Sequence, residues 1–176
     1  MAKVVLIGCT KRKKPYGNKY IARELYDAPR SSFPLKYMYA KLQQHDKIFI
    51  LSAKYHLMDT DDEETKYEPY NTTLCDVPLK KRTPDLILLN RQERIEWAKI
   101  ILKQLNTKCD LLHDEFLLVL GQRYYENMIP KTQCDEIKTT GLSIHKYAFP
   151  SGDWTSLKDG KQKKVLRNKI KEPKNE

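Results

Sequence analysis

No apolar run in this 176-residue chain approaches the roughly 18 residues needed to cross a bilayer as a helix. The N-terminus lacks the charged, apolar and small-residue order of a signal peptide and passes almost directly into a strand-like run. A soluble cytoplasmic protein without membrane contact is expected. The four cysteines, Cys9, Cys75, Cys109 and Cys134, form no CxxC pair, and no His stands at zinc-finger spacing. Structural zinc is therefore not expected, and without a secretion signal neither are disulfides. The Walker pattern GxxxxGK(S/T) is missing, as are internal repeats, and no cofactor or metal is expected. Hydrophobic residues make up 40% of the chain, below the typical ~45–50%. That leaves a polar chain still long enough to bury a core in one domain.

What the chain does contain is a recurring shape, an apolar run followed by a polar cluster. Val4-Val5-Leu6-Ile7 leads into Gly8-Cys9-Thr10-Lys11, Ile48-Phe49-Ile50-Leu51 into Ser52-Ala53-Lys54-Tyr55-His56, and Phe116-Leu117-Leu118-Val119-Leu120 into Gly121-Gln122-Arg123-Tyr124-Tyr125. Continuous apolar runs of this length read as strands buried on both faces. Open parallel sheets bind ligands just beyond the carboxyl ends of their strands. Three such strands side by side would collect Cys9, Lys11, Ser52, Lys54, His56 and Arg123 in one crevice.

Between the runs, residues 9–20 read as a basic loop and 21–26 as a helical turn or an extended piece. Ser31 or Ser32 looks like the N-cap of a helix with Pro34 in its first turn. That helix would reach about Gln44, with Leu35, Met38, Tyr39 and Leu42 on one face. An irregular segment is expected from Ala53 to about Asn90, long enough to suggest a functional loop. Ile95, Ala98, Ile101, Leu102 and Leu105 recur at helical spacing over 91–106. Strands are expected at 3–8, 47–52 and 115–120, a short helix from Tyr124 to Met128 stopped by Pro130, and a last strand near Glu136–Lys138. Strands alternating with helices predict an α/β fold, a single three-layer domain over residues 1–150 with a mainly parallel central sheet. Residues 151–176 are expected to be a basic tail, helical over a short stretch or disordered.

Formal net charge is +10, and residues 157–176 carry eight Lys and Arg against three carboxylates, half of that total. Such charge attracts phosphate backbones without reading their sequence; equally, it describes a solvated terminus.

Each polar cluster supports a chemical reading and a plainer one. Cys9, followed by Lys11, Arg12, Lys13 and Lys14, is either a nucleophile whose thiolate the cations favour or a small residue closing its strand. Lys11 and Lys14 suit a phosphate or carboxylate cradle. Lys54, beside Tyr55 and His56, can bind an anion or move a proton; surface placement of all three is the alternative. Glu68-Pro69-Tyr70-Asn71 offers a general base or amine ligand in Glu68 and a reader of a base edge in Asn71. It can equally be an ordered turn with Tyr67 and Tyr70 packed on the core. Gly121 allows close backbone approach and Arg123 bidentate anion binding. Tyr124 or Tyr125 can stack on a base or belong to the core of a short helix.

These same residues carry a resemblance. Cys9-Thr10-Lys11, Arg23-Glu24-Leu25-Tyr26, Leu51-Ser52-Ala53-Lys54-Tyr55-His56-Leu57 and Glu68-Pro69-Tyr70-Asn71-Thr72-Thr73-Leu74 resemble an uncharacterised bacterial and phage domain family. Its members read roughly C-x-K, A-R-x-L-Y, L-S-A-K-Y-G-L and E-P-Y-x-x-T-L. The likeness continues through Arg94-Ile95-Glu96-Trp97-Ala98 and Gly121-Gln122-Arg123-Tyr124. His56 stands where that pattern has Gly, which argues against a catalytic His56. The family is similar to the YaaA-like and uracil-DNA-glycosylase-like α/β group. A more distant similarity is to archaeosine synthase, whose C-x₃-K-P-Y is approached by Cys9 and Lys14-Pro15-Tyr16 with one extra residue between.

The resemblance implies an enzyme of base or nucleotide chemistry: N-glycosidic cleavage, or transfer of an amine or amino acid to a modified base. Its partner would be nucleic acid, DNA rather than RNA, or a nucleotide. Glu68, Cys9 and Lys54 would carry the chemistry. Lys11, Lys14, Ser52, Tyr55, Tyr70, Asn71, Gly121, Arg123 and Tyr124 would bind substrate. A noncatalytic DNA- or RNA-binding protein and a small-nucleotide hydrolase or sensor are the alternatives.

Overall fold

The structure, a computed structural model, describes residues 2–111, 113–120 and 122–125. The first apolar run forms β1 (Lys3–Gly8) and the second β2 (Lys47–Ser52), each buried from its second residue onward. The third forms β6 (Glu115–Val119). β2 and β6 flank β1 and run parallel to it, with Val5 opposite both Ile48 and Leu117. The sheet order is β3-β2-β1-β6, so the fold is α/β with a mostly parallel sheet. Fully burying a Val, Leu, Ile or Phe side chain contributes roughly 1.5–3 kcal/mol, which makes these strands the core of the domain.

The segment after β2, expected to be irregular, instead turns back at once. β3 (His56–Asp59) pairs antiparallel with β2 through a three-residue turn. Ser52 Oγ accepts the amides of Lys54 and Tyr55 at 3.3 and 2.9 Å, and His56 takes a left-handed φ of 64°. Only four residues long, β3 was hidden because His56 and Asp59 bracket just two apolar positions. Further along, β4 (Thr72–Thr73) and β5 (Ile87–Leu88) form a small parallel pair with a 3₁₀ turn at Leu79–Lys81 between them.

α1 is one turn (Ala22–Leu25). α2 (Phe33–Leu42) stops two residues before the expected end. Ser32 holds its N-cap position without a side-chain bond, while Ser31 Oγ accepts the Phe33 amide at 3.2 Å. Its inner face is Phe33 and Ala40, two turns apart, and Leu42 is 50% exposed. The expected Leu35, Met38, Tyr39, Leu42 face is corrected in part: Leu35 and Tyr39 pack against the core, Leu42 does not, and Phe33, stacked on Tyr37 and tilted against Tyr26, joins the buried side.

α3 (Arg91–Lys108) begins in a capping box: Asn90 Oδ1 accepts the Glu93 amide at 2.9 Å and Glu93 Oε2 accepts the Asn90 amide at 2.7 Å. It buries Trp97, Ala98, Ile101 and Leu105, and Gln104 Oε1 accepts the Leu57 amide of the edge strand at 3.0 Å. α4 (Gln122–Tyr125) follows β6. The expected continuation to Met128, the strand near Glu136–Lys138, Cys134, Gly121 and the basic tail lie outside the described residues.

The crossover from β1 leads through α2 to β2 on one side, and the chain then returns through α3 to β6 on the other side of β1. Right-handed crossovers running in opposite directions place their helices on opposite faces. The reversal occurs at β1, which makes its carboxyl end the place where a crevice opens. Among the described residues no helix is long and apolar enough to cross a membrane.

Candidate functional site

At that carboxyl end the chain gathers polar side chains from five segments. Cys9 follows β1, and its amide continues the ladder by donating to Leu51 O at 3.0 Å. Its thiol lies 2.9 Å from the Tyr124 hydroxyl of α4, bridging the two strand ends where the sheet order reverses. The Ala53 amide, after β2, points at the same sulfur from 3.4 Å. Ser52 Oγ is 2.8 Å from the Tyr70 hydroxyl, which is 2.8 Å from that of Tyr26. Tyr26 in turn donates to Met58 Sδ at 3.5 Å. Cys9, Ser52, Tyr26, Tyr70 and Tyr124 are all under 9% exposed.

A buried hydroxyl without a partner costs about 1–3 kcal/mol, so the direction of these bonds is decided by their ends. A thioether only accepts, which makes Tyr26 a donor to Met58. Tyr26 oxygen therefore takes the Tyr70 proton, and Tyr70 oxygen takes the Ser52 proton. Ser52 Oγ is then left to accept the Tyr55 and Lys54 amides, as it does. Burial, then the charge of the neighbouring Cys9, pushes the Tyr26 and Tyr124 hydroxyls well above the usual phenol range; the same two causes act in that order on Tyr70. All three stay protonated at neutral pH and act as hydrogen-bonding phenols.

Lys13 roofs this network. Its ammonium donates to Thr10 O and Lys11 O at 3.0 and 3.1 Å and lies 4.1 Å from the Tyr70 ring centroid and 5.8 Å from that of Tyr26. Cation–π contact of this kind favours the charged form, while burial pulls its pKa below the ordinary value, partly opposed by Cys9. Among the described residues Lys13 has no carboxylate partner within ion-pair distance.

The loop carrying Tyr70 is fastened from both sides. Tyr20 and Tyr67 exchange backbone hydrogen bonds at 2.9 and 2.8 Å. Tyr55, in the β2–β3 turn, donates to Glu68 O at 2.8 Å and packs against the rings of Tyr67 and Tyr70. Trp97 Nε1 donates to Ser52 O at 2.8 Å and its ring meets Tyr124 edge-on, so α3 closes the remaining side. Beside Trp97 an open groove of about 400 Å³ runs along α3, bordered by Ala53, Lys54, His56, Thr72, Leu89 and Ile100 among others.

Of the residues singled out in the sequence, the structure thus brings together Cys9, Ser52, Tyr70 and Tyr124, with Tyr55 packed behind Tyr70. It holds the others apart from this network. Lys11 is exposed, and Lys14 is half-buried with its amide bonded to Leu25 O. Lys54 is exposed, its ammonium 5.2 Å from the Tyr55 ring. The Glu68 carboxylate faces outward, 3.8 Å from Lys19. Asn71 donates to Thr83 Oγ1 at 3.0 Å, and Arg123 pairs with Asp76. Both are engaged in ordering the surrounding loops. Two members escaped the sequence reading. Lys13 was one of four consecutive cations with nothing to mark it as the inward one, whereas Tyr26 closed a quoted motif and was passed over. Among the described residues no group of three or more His, Cys, Asp or Glu lies placed to hold a metal ion.

A family model described as a family of unknown function, DUF6884, matches residues 4–146. The chain belongs to the DUF6884 family. No curated protein and no solved structure matches it. The matched span contains every member of the buried network and ends before the basic stretch at 157–176. The left-handed φ of His56 also gives a physical reason for the glycine in the L-S-A-K-Y-G-L pattern that this DUF6884 chain resembles: only glycine adopts that backbone without a steric cost.

Proposed function

We propose that this DUF6884 protein is an enzyme acting on a nucleobase or nucleotide, by N-glycosidic cleavage or by transfer of an amine or amino acid to a modified base. The observation that carries the reading is the convergence of Cys9, Ser52, Tyr70, Tyr124 and Lys13 at the point where the order of a parallel sheet reverses. The thiol and the hydroxyls are buried, and the half-buried Lys13 ammonium lies over them. The likeness to YaaA-like and uracil-DNA-glycosylase-like proteins, and more distantly to archaeosine synthase, supports the choice of substrate class.

In this reading Lys11 and Lys14, on the basic loop above the network, hold a phosphate or carboxylate. Half-buried Tyr55 and Tyr67 offer a ring face on which a base stacks. Glu68 is the carboxylate that the tyrosine-rich loop contributes, as general base or amine ligand, and acts once its side chain turns in from Lys19. Lys54 and Arg123 flank the rim as further cations. A base inside a duplex would have to be flipped out, at a cost of a few kcal/mol.

The test is incubation of the purified protein with nucleotides, single-stranded and duplex DNA, and RNA, with mass spectrometry of released or altered bases. Turnover that Glu68→Gln abolishes while binding survives supports the enzyme. Binding without turnover in either protein assigns a noncatalytic nucleic-acid binder instead. Neither binding nor turnover removes the nucleotide reading altogether.

A further inference from the structure

An exposed leucine standing alone needs no explanation, but Leu79 has telling neighbours. It is 80% exposed, the most exposed large apolar side chain among the described residues, and it opens the 3₁₀ turn midway along the excursion between β4 and β5. Lys80, Lys81 and Arg82 follow it directly, all exposed. Among the described residues no carboxylate lies within ion-pair distance of these three cations. The acidic residues that flank the excursion are engaged: Asp76 pairs with Arg123, and Asp85 accepts the Thr83 hydroxyl at 2.6 Å. The turn is held from within. Pro78 fixes its entry at a φ of −55°. The Lys81 amide donates to Pro78 O at 2.8 Å, the Arg82 amide to Leu79 O at 3.2 Å, and Arg82 Nε to Val77 O at 2.8 Å. Its roots are fastened at the rim of the buried network. Leu74 is fully buried, the Ile87 amide donates to Asn71 O at 2.8 Å, next to Tyr70, and Asp76 ties the outgoing chain to α4 through Arg123.

We propose that this excursion is a nucleic-acid finger: Lys80, Lys81 and Arg82 bind phosphates of a duplex, and Leu79 wedges between neighbouring base pairs. The proposal deepens the base-directed reading and rests on it for the claim that the duplex is substrate; the contact itself can be measured without turnover. Three adjacent cations without resident carboxylates complement a polyanion and grip its backbone whatever the sequence. A leucine pushed into a base step unstacks it, and a base inside a duplex has to leave the stack before a site beside it can act. A turn already fixed by its own hydrogen bonds loses little freedom on contact. An anionic membrane also attracts cations, but even one acyl chain binds a bilayer only marginally, and a single leucine buries less. Ile87, the other exposed apolar residue of the excursion, belongs to the strand pair at its root. A wedge needs only one side chain.

The probe is a DNA duplex carrying 2-aminopurine, whose fluorescence rises when it unstacks, titrated with the full-length protein at several salt concentrations. Wild type should bind and raise the fluorescence several-fold. Leu79→Ala should lose most of that rise with the salt slope unchanged, and Leu79→Phe should keep it, since a phenyl ring also wedges. Lys80→Gln with Lys81→Gln should lower the salt slope by up to about 1.8. All three side chains are exposed, so each variant should keep the wild-type urea midpoint. A wild type that leaves the duplex unbound at low salt would overturn the proposal, as would a fluorescence rise that Leu79→Ala leaves intact. Binding to equimolar vesicles of phosphatidylserine and phosphatidylcholine that depends on Leu79, without unstacking of the duplex, would overturn it in favour of a membrane contact. Unstacking through Leu79 with no base released or altered would keep the finger and remove the enzyme. Base chemistry on duplex DNA that Leu79→Ala leaves undiminished, without unstacking, would remove the finger and keep the enzyme.

Discussion

The two ends of the central sheet solve the same problem with different chemistry. At the amino end, carboxylates bind backbone amides and lysines. Asp114, 7% exposed, accepts the amides of Ala2 and Asp110 at 2.8 Å each, and Asp46 accepts the Lys3 amide at 2.8 Å. Lys47 pairs with Asp59 at 2.8 Å and with Asp61 at 3.4 Å. At the carboxyl end, among the described residues, no carboxylate enters the network: hydroxyls and a thiol pair with one another, and the Lys13 ammonium donates to the carbonyls of Thr10 and Lys11. The cysteines repeat the contrast. Cys109, near Asp114, is pushed up to about 11 by burial and then by that carboxylate, whereas Cys9 lies 2.9 Å from the Tyr124 hydroxyl and 3.4 Å from the Ala53 amide. An end that only has to close a sheet can use charges locked to the backbone.

This contrast is sharpest if the two ends fail differently. Asp114→Ala should have the largest effect, leaving two amides without their acceptor and costing about 3 kcal/mol in urea unfolding. Turnover lost with stability intact would break the comparison. Ser52→Ala should cost about 2 kcal/mol, since the Tyr55 amide and the Tyr70 oxygen both lose their partner, and it should also abolish turnover. Loss of stability alone would make the carboxyl-end network merely structural.

His56→Gly removes a side chain from a left-handed position and should stabilise by about 0.5–1 kcal/mol, the relieved backbone cost exceeding the added chain entropy. Burial lowers the His56 pKa below 6.5. The unfolded chain therefore takes up its proton first as pH falls, so native stability declines below about 6.5. The glycine variant should show a flatter stability profile there in thermal unfolding. The smallest effect on stability, within about 0.5 kcal/mol, is expected of Lys11→Gln with Lys14→Gln. The same pair should lower the salt slope of nucleic-acid binding by up to about 1.8. An unchanged slope would remove these lysines from the anion site.

The apolar runs at 4–7, 48–51 and 116–120 made three strands and their parallel arrangement legible, because continuous burial on both faces leaves few other solutions. β3 was not legible: two apolar residues between His56 and Asp59 are too few to show a period. The inner face of α2 was legible only in part. Leu35 and Tyr39 pack against the core as their spacing suggested, whereas Leu42 is exposed and Phe33, fitted against Tyr26, is buried instead. Within the site, Cys9, Ser52, Tyr70 and Tyr124 could be found because each follows a strand or closes a motif. Lys13 could not be told from Lys11, Arg12 and Lys14, since only the fold selects which cation faces inward.

The sequence by itself determined the fold class, the basic character and the rim to which chemistry-bearing residues come, since these follow from hydrophobic pattern and residue type. Tertiary structure decided which of them meet. Glu68, Asn71 and Arg123, read in sequence as site residues, are engaged elsewhere, by Lys19, Thr83 and Asp76. Cys9 and Tyr124 lie 115 positions apart and meet at 2.9 Å. Contacts of that separation depend on the order in which strands pair, a property of the whole sheet that no local pattern encodes.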